Sequence, residues 1–179
     1  MADTALLIID IQNDYFPGGA MELEGAAAAG AKAGEVLEKF RRENIPVFHV
    51  RHLSIRPGAT FFLPGTPGAE IHPAVRPRAG EAVVEKNFPN SFRGTALQNR
   101  LDQHKVRNLV VAGMMTHMCV DASVRQAADL GYQVTLLADA CATRAQKFGE
   151  ESVPARQVHA AFLAALNGFY AKVIYANEL

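Results

Sequence analysis

Residues 5–10, Ala5-Leu6-Leu7-Ile8-Ile9-Asp10, set five apolar side chains in unbroken succession and close them with a carboxylate. A strand points successive side chains to opposite faces, so such a run needs apolar cover on both sides, the condition of an interior strand in a parallel sheet. Four further runs rich in Val, Ile and Leu follow at Pro46 to Val50, Ala82 to Val84, Asn108 to Ala112 and Val134 to Ala138, with a weaker sixth at Val173 to Tyr175. Helix-like stretches lie between them. Glu22 to Asn44 is rich in Ala, Glu, Lys and Leu and is stopped by Pro46, so it reads as a crossover helix. Gly94 to His104, His117 to Leu130 and Val153 to Asn167 read the same way, the last with Val158, Phe162 and Leu166 at helical spacing. The alternation predicts a three-layer α/β/α domain with right-handed crossovers, its active groups at the carboxyl ends of the strands.

The 179 residues are enough for one sizeable core and short for two, so the chain reads as a single domain over 1–179. Eighteen basic and eighteen acidic residues cancel, and no broad field favours nucleic acid or an anionic membrane. A small-molecule substrate fits that balance better. Two cysteines and no signal-like start point to a reducing cytoplasm, and no apolar run approaches the roughly 20 residues of a membrane span. Leu53 to Gly80 breaks the rhythm with Pro57, Pro64, Pro67, Pro73 and Pro77. It can be neither a long helix nor a central strand, and it reads equally as a functional loop or as a packed surface insertion.

Several familiar chemistries are absent. No G-x-G-x-x-G follows the first strand, and Gly25 and Gly30 have phosphate-loop spacing but Ala31 in place of the lysine, inside a predicted helix. There is no G-x-S-x-G elbow. His49, His52 and His72 match no zinc spacing, so no metal and no cofactor is expected.

Three polar residues remain at strand ends: Asp10, Lys86 after Val83-Val84-Glu85, and Cys119 a short turn after Val110-Val111-Ala112-Gly113. In a parallel sheet these positions converge. Cys119 falls in the first turn of a predicted helix, where free N–H groups and a nearby Lys86 would favour a thiolate, and Asp10 can take the thiol proton and return it to a leaving group. Taken singly, each has a plainer reading: Cys119 as a small buried residue, Asp10 as a turn cap, Lys86 as a solvated strand end. Cys141 reads as buried structure.

Residues 5–16 (Ala-Leu-Leu-Ile-Ile-Asp-Ile-Gln-Asn-Asp-Tyr-Phe), 86–92 (Lys-Asn-Phe-Pro-Asn-Ser-Phe) and 113–120 (Gly-Met-Met-Thr-His-Met-Cys-Val) resemble, in order, the three signature blocks of the isochorismatase-like cysteine hydrolases. Residues 138–143 (Ala-Asp-Ala-Cys-Ala-Thr) are similar to that family's fifth-strand motif. The resemblance implies a six-stranded parallel sheet of order 3-2-1-4-5-6 and a catalytic triad of Asp10, Lys86 and Cys119. It also implies hydrolysis of a small amide or related C–N bond through a thioester on Cys119, and a homodimer or homotetramer. It further implies a cis peptide at Met114-Met115 and an oxyanion hole from the Met115 and Cys119 N–H groups.

Gln12, Phe16, Phe88, Phe92 and His117 lie beside the blocks and are the expected substrate-binding residues; for Phe16, Phe92 and Met115 core packing is an equal reading, and for Gln12 a turn hydrogen bond. Arg51-His52-Leu53 stands where the nicotinamidases of this family carry a metal-binding Asp-x-His, which weakens nicotinamide as the substrate and leaves activity without a metal as the expectation. Two alternatives stay open: a vinyl ether hydrolase of the isochorismatase type, and a non-catalytic thiol sensor, against which an intact Asp10 and Lys86 argue.

Overall fold

The computed structural model describes residues 3–179. β1 (Thr4–Ile9) is buried at every position, and its side chains divide between two cores. Leu6 and Ile8 share one with Val36, Leu37 and Phe40 of α1 (Ala26–Arg42). Ala5, Leu7 and Ile9 share the other with Leu97 and Leu101 of α2 (Leu97–Gln103) and Val124 and Ala127 of α3 (Asp121–Asp129). That division is why the opening run is apolar without alternation: each side chain faces helices, and full burial stabilises each Leu or Ile by roughly 1.5–3 kcal/mol.

The sheet continues with β2 (Val47–His52), β3 (Ala82–Lys86), β4 (Asn108–Met114) and β5 (Gln133–Ala142). Then come a hairpin of β6 (Gln146–Phe148) and β7 (Glu151–Val153), helix α4 (Ala155–Leu166) and the edge strand β8 (Lys172–Ile174). The six-stranded order is β3-β2-β1-β4-β5-β8, parallel at every pairing. This is the expected three-layer α/β/α sheet. Its sixth strand carries the number eight only because the hairpin intervenes, a feature the sequence reading did not anticipate. The chain winds one way from β1 through β2 to β3 and the other way from β4 through β5 to β8, so a crevice opens beyond the carboxyl ends of β1 and β4.

All four helix expectations shift, and the one from Gly94 to His104 shortens to Leu97–Gln103. The helix expected from Glu22 begins at Ala26, because Gly25 caps it in a left-handed conformation (φ 78°) and Glu24 instead bridges to Thr143 beyond β5. The helix expected from Val153 begins at Ala155, Val153 being drawn into the hairpin. The helix expected over His117 to Leu130 is two elements, a π-helical turn at Thr116–Val120 and then α3. Beyond Val111 the pairing between β4 and β5 jumps: Val111 opposes Leu136 but Gly113 opposes Cys141, so β5 bulges and Cys141 is buried against β4.

Residues 53–80 are a packed excursion. Phe62, Ala69 and Val75 are buried in the α1-side core, the last two within short 3₁₀ turns at Pro67–Ala69 and Pro73–Val75. No described helix is long and apolar enough to cross a membrane.

Candidate active site

Asp10, Lys86 and Cys119 meet in the crevice. Asp10 leaves β1 with φ 51°, its N–H held by the Val50 carbonyl at 3.0 Å, a left-handed conformation that turns the carboxylate inward. Lys86 is the last residue of β3, and Cys119 sits in the π-helical turn after β4. The chain reaches that turn through Gly113, where a Cβ would lie 2.3 Å from the Ile9 carbonyl oxygen, so only glycine lets β4 pass this close to β1. The Met114–Met115 peptide is cis.

Lys86 Nζ lies 2.7 Å from Asp10 Oδ2 and 3.3 Å from Cys119 Sγ, with a third contact of 3.0 Å to His52 Nδ1. An ammonium has three N–H groups, and here it has two hydrogen-bond partners, His52 and Cys119, beside the ion pair with Asp10. Asp10, Lys86 and Cys119 are 0%, 1% and 5% exposed. The approach of Lys86 to Asp10 is close in distance but off-line in angle, and neither Asp10 oxygen accepts an aligned hydrogen bond from a described residue. A buried carboxylate left this way has open acceptor capacity for a thiol, a water or a substrate N–H.

Burial works against the Lys86 charge, yet the Asp10 carboxylate and the Cys119 sulfur outweigh it and raise its pKa, so Lys86 stays an ammonium. His52 is the reverse: burial first and the Lys86 charge second push it down to about 4, and its Nδ1 therefore accepts from Lys86. Cys119 corrects the sequence expectation. Burial, then the Asp10 carboxylate, raise its pKa, and Lys86 offsets this only in part, so the resting group is a neutral thiol. The helix-start argument for a thiolate is outweighed, because burial dominates and several N–H groups of that turn already donate to backbone carbonyls. Val120 and Met118 donate to the Met115 carbonyl at 3.3 and 3.0 Å, and Asp121 donates to Thr116.

A cavity of about 400 Å³ opens over Cys119. Of the five expected substrate-binding residues, only Phe88 lines it. Phe16 is turned into the α1 layer, stacked on His72 at 3.5 Å between centroids and resting over Gly30, where a Cβ would meet its ring at 2.9 Å. Phe92 pairs with Tyr132 on the α2 side of the sheet. His117 turns away to Thr143 and Phe162. Gln12 is fully buried as a brace: its amide donates to the His52 and Ala69 carbonyls at 2.9 and 2.7 Å and accepts from the His52 N–H at 2.8 Å. Met115, expected as an oxyanion donor, does line the cavity.

The residues missed are mostly those of the excursion. Ser54 to Phe62 forms one wall, closed at its base by the Ser54 N–H on the Phe62 carbonyl at 2.9 Å. Asp14 pins it from below, accepting from the Phe62 N–H at 2.6 Å and the Ala20 N–H at 3.2 Å. Tyr15, in the same sequence block as Asp10, stacks at a tilt on Phe62 at 4.6 Å and supplies an aromatic wall. Its place in that block was a signal, as was that of Asn87, Pro89 and Met118 in the other two blocks; most of the remaining wall comes from a segment with no periodic pattern.

Among the described residues, only Asp10, His52 and Cys119 offer three ligand atoms close together, within 4.8 Å of one another. The Lys86 ammonium contacts all three, so a metal ion there would face a fixed positive charge. The other two candidate histidines are dispersed. His49 is bound to Glu81 at 3.0 Å, and His72 lies under Phe16. Arg51, at the position of the missing aspartate, is paired with Glu70 and Glu85.

The same chain features recur in known proteins. Residues 4–178 match the isochorismatase domain. The isochorismatase family protein YddQ of Bacillus subtilis (strain 168), itself uncharacterized, is 51% identical over 170 residues, covering 95% of this chain and 94% of that protein. Streptothricin hydrolase of Streptomyces noursei is 37% identical over 139 residues, 78% of this chain and 49% of its own length. A crystal structure from Oleispira antarctica, described as an isochorismatase hydrolase, superposes with a TM-score of 0.96 at 50% identity, covering 99% of this chain and 95% of that one.

Proposed function

The chain belongs to the isochorismatase family and is a hydrolase; from that premise we propose that it cleaves a small carboxamide or related C–N bond through a thioester on Cys119. The observation that carries this reading is a single buried ammonium, Lys86, in contact with both the Asp10 carboxylate and the Cys119 sulfur, the sulfur's residue lining the cavity.

Burial raises the Cys119 pKa, so in this reading the thiol gives up its proton as it attacks. As the sulfur attacks the carbonyl carbon, its proton passes to Asp10, whose oxygens are open to receive it, and the thiolate character that develops is met by Lys86 at 3.3 Å. The N–H groups of Met115 and Cys119 serve the oxyanion, a role worth ~100 to 1,000-fold per donor in acyl-transfer enzymes. When the C–N bond breaks, the amine leaves with the proton from Asp10. Water then attacks the thioester, giving one proton to Asp10 that returns to the departing sulfur. No step calls on a metal, in keeping with the ammonium placed among the candidate ligands.

The acceptor beside the sulfur favours acyl chemistry over the vinyl ether reading, since ether hydrolysis gives a nucleophilic sulfur no acyl carbon to attack. The test is release of ammonia or amine from a panel of small amides, wild type beside Cys119→Ala. Turnover by wild type and none by the variant is expected; equal rates would overturn the proposal.

A further inference from the structure

Two cations stand at the rim of the cavity. Arg56 lies in a turn closed by the Ala59 N–H on the Arg56 carbonyl at 3.1 Å, and Arg144 follows the end of β5. Both line the cavity and both are exposed. Among the described residues neither guanidinium has an ion pair or a side-chain hydrogen bond, so both are open to an anion. No Asp or Glu contributes to the cavity wall. Beneath the wall the Lys86 and Asp10 charges cancel, and His52 is neutral. A protein with no net charge thus presents a locally positive mouth over its nucleophile.

The position of that charge is informative. Both arginines line the same cavity as Cys119, yet the cation in contact with the sulfur is Lys86, at 3.3 Å. The arginines thus hold charge at the exposed part of a cavity wall that they share with Tyr15 and Phe62, while Cys119 is buried. A planar guanidinium fork matches a carboxylate.

We propose that the substrate is a small amide with an apolar or aromatic body and a carboxylate at the end remote from the scissile bond, and that Arg56 and Arg144 determine this specificity. The proposal rests on the amidase reading above for the amide end and on the cavity alone for the anionic end. Both arginines are exposed and neither belongs to a core cluster, so their substitution leaves the core untouched.

The test is calorimetric binding to Cys119→Ala protein, which keeps the amide intact, with 4-carbamoylbenzoate and its neutral counterpart 4-methylbenzamide as probes. The carboxylate should bind about tenfold more tightly, the lower end for a charge-assisted hydrogen bond at an exposed site. Added salt should shrink the difference. Arg56→Gln and Arg144→Gln should each reduce it, and the double substitution should abolish it while 4-methylbenzamide binds as before. Equal binding of the two probes, no measurable binding of either, or a preference that survives both substitutions would overturn the proposal. Ammonia release by wild type separates the two readings. Charge preference in binding without ammonia release would count against the amidase proposal alone, and release from neutral amides with no charge preference would count against this one alone.

Discussion

Lys86 Nζ lies 2.7 Å from Asp10 Oδ2 with both side chains closed to solvent. Neither charge is tolerable without the other: removing one partner of a buried pair typically costs about 3–5 kcal/mol, whereas removing both leaves no uncompensated charge. Lys86→Met and Asp10→Asn should each be strongly destabilised, and the double variant should be more stable than the sum of the two losses allows. Urea melts of the four proteins give the coupling. Additive losses would mean that the two groups do not form a pair.

Asp10 should also control the reactivity of the thiol, in opposite senses for two assays. Turnover in Asp10→Asn should fall ~100 to 10,000-fold, because the proton has no base to go to. Labelling of Cys119 by iodoacetamide should become faster, because after burial the Asp10 carboxylate is the next cause of the raised thiol pKa, and it is gone while Lys86 remains. Peptide mapping after partial labelling, with the buried Cys141 as internal reference, reads the change. Slower labelling of Cys119 in this variant would show that Asp10 does not raise its pKa.

His52 gives a pH signature. Its pKa falls from the usual 6.5 to about 4 on folding, so the unfolded chain binds the proton first as pH drops. The stability tied to a neutral His52 is complete above pH 6.5 and is lost as pH falls from 6.5 towards 4. His52→Asn keeps an acceptor near Lys86 but does not titrate there. The stability advantage of wild type over this variant should therefore shrink between neutral pH and pH 4.5, as followed by thermal melts. A gap that is constant or widens would contradict the assignment.

Gln12 should matter to the wall rather than to the chemistry. Gln12→Ala removes three hydrogen bonds and leaves the His52 N–H and the Ala69 carbonyl without those partners, at a cost of roughly 1–3 kcal/mol. Hydrogen exchange should rise first across residues 53–80, with KM affected more than kcat. Unchanged exchange there would show that the brace is redundant.

These expectations also mark how far the sequence could be read. The sheet was legible because β1 is covered on both faces and so carries an unbroken apolar run, and the three site positions followed because parallel strand ends converge. The pocket was not legible. Phe16, Phe92 and His117 lie near the motifs in sequence, but their direction depends on which layer each side chain enters, and Gly30, Tyr132 and Thr143 decide that from elsewhere in the chain. The state of Cys119 was misjudged for a related reason: strand ends fix position, while pKa depends on burial and on the balance between Asp10 and Lys86.

The most direct measurement is of the covalent intermediate. Wild-type protein quenched in acid during turnover of an amide, then digested and weighed peptide by peptide, should carry the acyl fragment on the peptide containing Cys119, and hydroxylamine should remove it. Ammonia released with no adduct on that peptide, or an adduct on Cys141 or elsewhere, would contradict catalysis through a Cys119 thioester.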